Sequence, residues 1–192
     1  MHFNIPNALT WMRIVMIPLF VGVYYFPPTW LTLPQQNLSA TVIFTVAALT
    51  DLLDGYLARK LNQVSAFGAF LDPVADKLMV AAALIVLVDL NRVNAVIAVI
   101  IIGREIAISA LREWMAQLGA AKSVAVSLLG KIKTVSQMIA IPLLLYHDRI
   151  GAFSTQRVGT WLIYIAALLT LVSMGFYLKA ALPQAWKRDA GS

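Results

Sequence analysis

Four aspartates are the residues of this chain best placed to do chemistry. Asp51 and Asp54 lie three residues apart, Asp72 and Asp76 four apart, and all four fall inside or beside apolar stretches. On a helix, either spacing puts both carboxylates on one face. A single aspartate at the centre of a bilayer costs about 2.5–3.5 kcal/mol on insertion scales, so a group of four implies a partner or a function. Crowded in low dielectric, they repel one another unless protons or cations neutralise them. The chain has no cysteine, and its two histidines, His2 and His147, are remote in sequence. The ligand set is therefore all oxygen, which suits Mg²⁺, Mn²⁺ or Ca²⁺. Four carboxylates suffice for two ions, and two ions can clamp phosphate oxygens. A plainer reading exists for one member: Asp72-Pro73 has the form of a helix N-cap followed by proline at the first helical position.

The residues between the two pairs suit the same use. Gly55 lacks a side chain and lets a ligand approach the helix backbone. Ala58, one turn beyond Asp54, is also small, and Arg59 adds a fixed cation suited to a phosphate. Gly68 falls in the connecting segment and allows two helices to approach closely, a role small residues often play in membrane packing.

The elements that must position these groups follow from composition. The chain has 192 residues, of which 60% are hydrophobic and 12% charged. Soluble domains are nearer about 45–50% apolar and about 25% charged. A net charge of +6 would suggest nucleic acid in a soluble protein, but there is too little polar surface here for such a domain, and no nucleic-acid partner is expected. Disorder is excluded by the many large apolar residues. The expectation is an all-α, polytopic membrane protein forming a single domain over residues 1–192.

Six stretches are long enough to span, at about 20 apolar residues each. They run from Ala8 to Phe26, Leu38 to Lys60, Pro73 to Leu90, Val93 to Leu118, Ser127 to Tyr146 and Val158 to Ala181. Met1 to Thr10 reads as a short interfacial lead-in with Asn7 or Thr10 as a helix cap, and no cleavable signal peptide is expected. With both termini on one side, that side collects twelve of the fifteen Lys and Arg, leaving only Arg92, Arg149 and Arg157 opposite. The excess assigns the termini to the cytoplasm. It also puts both carboxylate pairs at the cytoplasmic ends of neighbouring antiparallel helices, Asp51 lying about 13 Å along the helix from Lys60.

Asp51-Leu-Leu-Asp54-Gly55-Tyr-Leu-Ala58-Arg59, eight residues, then Gly68, Asp72 and Asp76 at intervals of four, resembles the D-x-x-D-G-x-x-A-R-(x8)-G-x-x-x-D-x-x-x-D motif of the CDP-alcohol phosphotransferases at all eight fixed positions. The resemblance extends over Asn4 to Arg13, Gly103 to Trp114 and Gly130 to Thr134. These segments are similar to the branch of the family that joins CDP-diacylglycerol to sn-glycerol 3-phosphate, releasing CMP. The resemblance implies a six-helix fold, commonly a homodimer, in the inner membrane of a bacterium. It further implies that Asp51, Asp54, Asp72 and Asp76 bind Mg²⁺ or Mn²⁺, two ions in all, with Asp76 also the general base. Asp51, Asp54, Gly55, Ala58, Arg59 and Gly68 would line the CDP site.

The acceptor in that reaction is a dianion and needs cations beside a diphosphate. Arg104, Arg112, Lys131 and Lys133 supply them. Arg104 and Arg112 are eight apart, two helical turns, and share a face; Lys131 and Lys133, two apart, do not, so one of them is expected to precede the helix. The plainer account of these cations is topology and contact with anionic headgroups, which is the reading for Lys122, Lys179, Lys187 and Arg188. Asn7, Thr10 and Arg13 either border the headgroup site or anchor the first helix. Glu105 is expected to neutralise a neighbouring arginine, and Glu113 to be a solvated partner of Arg112. Alternatives are the same chemistry with serine, inositol phosphate or phosphatidylglycerol as acceptor, and, from another class, a cation transporter with the aspartates as its ion pathway.

Overall fold

The computed structural model describes residues 5–61, 66–117 and 128–189. Six helices account for most of them: α1 (Ile5–Gly22), continued by one 3₁₀ turn (Val23–Tyr25), α2 (Leu33–Leu61), α3 (Ala66–Asp89), α4 (Ala95–Gln117), α5 (Leu128–Tyr146) and α6 (Thr155–Asp189). The remaining element, not foreseen in the sequence, is a two-stranded hairpin of β1 (Arg149–Ile150) and β2 (Phe153–Ser154), turned by Gly151 at φ +60°. Ser154 then caps α6, its hydroxyl accepting from the Arg157 amide at 3.4 Å.

The apolar segments set the helices, and their small residues set the packing. The helix contacts close a ring in the order α1, α2, α5, α6, α4, α3 and back to α1, with α2–α3 and α3–α5 contacts across it. Ala40, Ala47, Ala83, Ala140 and Ala167 are buried where helices meet, and Phe20 and Phe44 fill the space between α1 and α2 with ring centroids 6.4 Å apart. The α5–α6 contact is the most extensive. At Gly159 a Cβ would lie 2.8 Å from Leu144 Cγ and 3.2 Å from Leu143 Cβ. Gly159→Val is therefore expected to destabilise the protein by about 1–3 kcal/mol through overpacking, read as a lowered thermal midpoint in detergent.

Large apolar side chains also cover much of the outer surface. Leu19, Leu49, Ile85, Val99, Val135 and Leu168, one from each helix, are all exposed. Among the described residues two stretches, Ala8–Tyr25 and Thr155–Lys179, are long and apolar enough to cross a membrane.

The chain reversals at one end of the bundle are tied to a single guanidinium. Asn91 (φ 56°) and His147 (φ 64°) take the left-handed conformation just past the ends of α3 and α5. Arg92 Nη1 donates to the carbonyls of Leu144 and Leu145 at 3.0 and 2.7 Å, and Nη2 donates to Asn37 Oδ1 at 2.8 Å. A cation on the last carbonyls of α5 also complements the helix dipole. Burial, followed by the Arg92 charge, lowers the His147 pKa from its ordinary 6.5. A histidine held neutral by the fold contributes stability above its unfolded pKa, and that contribution is lost as pH falls through 6.5 toward the depressed folded value. His147→Asn, which tolerates the same backbone, is expected to flatten the stability–pH curve in that window, measured by thermal unfolding between pH 7.5 and 5.

Candidate active site

The carboxylates come from two helices and are organised by a third. α2 runs unbroken through Asp51, Asp54, Gly55, Ala58 and Arg59 to Leu61. α3 begins at Ala66, seven residues before Pro73, and carries Pro73 inside it. This bears out the shared face of Asp72 and Asp76 against the plainer N-cap reading, and it corrects the expected start of the third span at Pro73 and the placing of Gly68. Asp72 is not an N-cap but sits with Asp76 one turn apart on a continuous helix. Gly68 is not in a connecting segment but buried in the first turn of α3. The side chains of Asp54, Ala58 and Arg59, with Gly55 between them, lie outside the described residues.

α1 binds both pairs. Arg13, 1% exposed, places Nη1 2.7 Å from Asp51 Oδ1 on α2. Thr10, also buried, donates its hydroxyl to Asp72 Oδ1 on α3. α1 starts at Ile5, so Thr10 is more than a turn inside it and is not its cap. Sequence reasoning left Asn7, Thr10 and Arg13 undecided; Thr10 and Arg13 prove to contact the acids, and the side chain of Asn7 lies outside the described residues. The available signal was an arginine in the middle of an apolar span, which requires an anion nearby.

Asp76 faces both halves of the site. It lines a small cavity of about 10 Å³ with Arg13, Phe44 and Met138. It also lines a larger cavity of about 70 Å³ with Lys77, Glu105, Thr134 and Gln137. The charges acting on it are those of Asp51, Arg13, Glu105 and Lys77.

The cationic half is built on α4, α5 and α6. Lys133 is 1% exposed and its ammonium pairs with Glu105 on α4. Arg104 Nη1 stands 3.8 Å from the same carboxylate, and Nη2 donates to Ser173 Oγ at 2.9 Å. Arg112 donates to Tyr177 Oη at 3.0 Å. The two guanidinium carbons lie 5.5 and 5.3 Å from the centre of the Tyr177 ring, so Arg104 and Arg112 do share a face, held by one aromatic. Lys131 and Lys133 are both on α5, so neither precedes the helix. Lys131 is exposed and Lys133 points inward. Glu105 does lie near an arginine, but Lys133 is its closer partner; and Arg112's hydrogen-bond partner is Tyr177, with Glu113 exposed beside it.

By chemistry the acidic half fits divalent metal. Its donors are carboxylate oxygens, and a buried guanidinium already stands against Asp51 as a cation. Among the described residues no three His, Cys, Asp or Glu converge closely enough to hold an ion by themselves; the fourth aspartate, Asp54, has its side chain outside that set.

Comparison with known proteins agrees with this architecture. The profile of the CDP-alcohol phosphatidyltransferase family matches residues 3–172. The chain is 50% identical over 183 residues to the CDP-diacylglycerol--glycerol-3-phosphate 3-phosphatidyltransferase of Escherichia coli (strain K12), covering 94% of this chain and 96% of that one. The protein of the same name from Shigella flexneri serotype 5b (strain 8401) is equally similar, at 50% identity over the same shares of both chains. An acid pair on each of two adjoining helices, the spacing of its flanking residues and a family match over most of the length lead to one conclusion: the chain belongs to the CDP-alcohol phosphatidyltransferase family.

Proposed function

We propose that the chain transfers the phosphatidyl group of CDP-diacylglycerol to sn-glycerol 3-phosphate, giving phosphatidylglycerophosphate and CMP. Relatives 50% identical over nearly the whole chain are named for that transfer. The observation that carries the reading is the cavity that puts Asp76 on one wall and Glu105, with its paired Lys133, on another. A base and the carboxylate that pairs with the phosphate-holding cation are thereby brought to one space.

Asp51, Asp54, Asp72 and Asp76 would hold the divalent ions, Mg²⁺ or Mn²⁺, with Gly55, Ala58, Arg59 and Gly68 on the nucleotide side. Ions bound there would neutralise and polarise the diphosphate and stabilise departing CMP. The protein's own work is orientation and proton transfer. Thr10 and Arg13 fix Asp72 and Asp51 from α1. Asp76 accepts the proton of the attacking acceptor hydroxyl. Arg104, Arg112 and Lys133 hold the acceptor phosphate beside it, with Arg as the planar, bidentate partner; Lys131, exposed at the same level of α5, meets it only at the mouth.

In the same reading all six helices span the inner membrane as one domain, with the termini and the active site in the cytoplasm, and two copies associate as a homodimer. The uneven distribution of Lys and Arg supports the orientation, and the apolar exterior of every helix supports immersion in lipid. The test is reconstitution of the purified protein with CDP-diacylglycerol, Mg²⁺ and a panel of acceptors: glycerol 3-phosphate, serine, inositol phosphate and phosphatidylglycerol. CMP release is expected with glycerol 3-phosphate in preference to the rest. Preference for another alcohol would overturn the acceptor, and no release with any acceptor or metal would overturn the transferase.

A further inference from the structure

Glu105 is the one acid of the site region that the mechanism above leaves without a task. Its carboxylate is an odd feature of a cluster meant to hold a dianion. It pairs with Lys133, which is almost wholly buried, and lies 3.8 Å from Arg104. An anion there consumes the charge that a phosphate needs. The cluster nevertheless retains unmet bonding capacity. Arg104 Nε is a buried donor open to a phosphate oxygen, and Gln137 Oε1 is a buried acceptor open to a hydroxyl of the same molecule, neither with a hydrogen-bond partner among the described residues. Gln137 and Glu105 both line the cavity of about 70 Å³ that also contains Asp76. Buried polar atoms in native proteins are rarely left unpaired, so this arrangement has the form of a site shaped for an occupant other than the one it holds.

We propose that the Glu105 carboxylate is a built-in stand-in for the acceptor phosphate: it neutralises Lys133 and Arg104 while the site is empty, and the arriving phosphate displaces it. The proposal rests on the reading of these cations as the acceptor site. The structure also gives the displaced carboxylate a destination. Glu105 borders a second cavity of about 90 Å³, and Lys77 lines both that cavity and the first. On leaving Lys133 the carboxylate meets another cation instead of a purely apolar wall, which keeps a partly buried charge paired. An anion in the empty site serves a second purpose. It keeps two buried cations from standing unpaired in low dielectric, a state that is strongly destabilising.

The experiment uses the full chain in detergent with sulfate, a tetrahedral dianion, as probe, and glycerol 3-phosphate for kinetics. Glu105→Gln removes the competing charge and keeps the shape. It is expected to lower the apparent KM for glycerol 3-phosphate by about tenfold, the low end of couplings between close charges, with the KM for CDP-diacylglycerol unchanged. The thermal midpoint without anion should fall, and the stabilisation by sulfate should grow. A merely structural Glu105 would lower the midpoint without sharpening the response to sulfate, and an unchanged or raised acceptor KM in this variant overturns the displacement. In the wild-type chain, sulfate is expected to increase carbodiimide labelling of Glu105, read by mass spectrometry. That result needs no variant to fold, and unchanged or reduced labelling also overturns it. Lys133→Met separates the two layers of argument. If it leaves the sulfate response intact, the cations are not the phosphate site and the underlying reading fails; if it abolishes the response while Glu105→Gln does not enhance it, only the displacement fails.

Discussion

Asp76→Asn is expected to leave a folded protein whose CMP release has fallen by about 10²–10⁴-fold, the usual contribution of a positioned general base. The fall should appear in kcat, with the KM values of both substrates changing little. The reason is the position of this carboxylate. Of the described aspartates, Asp76 alone lines both the cavity with Arg13 and the cavity with Glu105. On the proposed reading it is thus the aspartate placed between Arg13 and the Glu105–Lys133 pair, where the acceptor would be held. Asparagine keeps its size and can still coordinate weakly through oxygen, so stabilisation of the protein by Mg²⁺ should survive in part, read as a thermal shift. Turnover near that of the wild type would remove Asp76 as the base. Complete loss of the metal response together with turnover would make it chiefly a metal ligand.

Arg13→Ala is expected to produce a loss of stability of about 2–3 kcal/mol, below the about 3–5 kcal/mol for breaking a fully buried pair, because the carboxylate left behind, Asp51, is 33% exposed and partly screened by solvent. Arg13 is buried and reaches from α1 to Asp51 on α2. Without it that carboxylate loses its counter-charge, and the small cavity beside Asp76 is enlarged. Arg13→Lys should recover part of the loss, because an ammonium restores charge but not the planar fork. Equilibrium unfolding of the metal-free protein is the measurement. A loss below about 1 kcal/mol for the alanine variant, as for an exposed pair, would show that α1 does not organise the acids.

Much of the helical architecture was legible in the sequence because continuous apolar segments admit few alternatives. The α3 boundary was not. Asp72-Pro73 carries a strong local helix-start signature, yet α3 runs on through it from Ala66. The contact that accompanies this is tertiary, Thr10 of α1 on Asp72, 62 residues away and invisible to local pattern. The same holds for the ion pairs. Glu105 adjoins Arg104 in sequence, so the arginine was the natural partner, but Lys133 from another helix comes closer. Arg112 adjoins Glu113 but bonds to Tyr177 on α6. Neighbours along a helix diverge by about 100°, so a charge buried between helices finds its partner across the bundle. The placing of the motif aspartates on two helices was the easier part, since spacings of three and four fix each pair on one helical face.

The Arg92 clasp has a mechanical consequence. One side chain ties the start of α2, the turn before α4 and the exit of α5, so those three helices share a fixed pivot at the end remote from the aspartates. Any breathing that admits a two-tailed lipid must then widen the bundle progressively away from that anchor, as a fan opens from its rivet. Amide exchange should accordingly be slowest around Leu144 and Leu145 and quicken toward the acidic mouth.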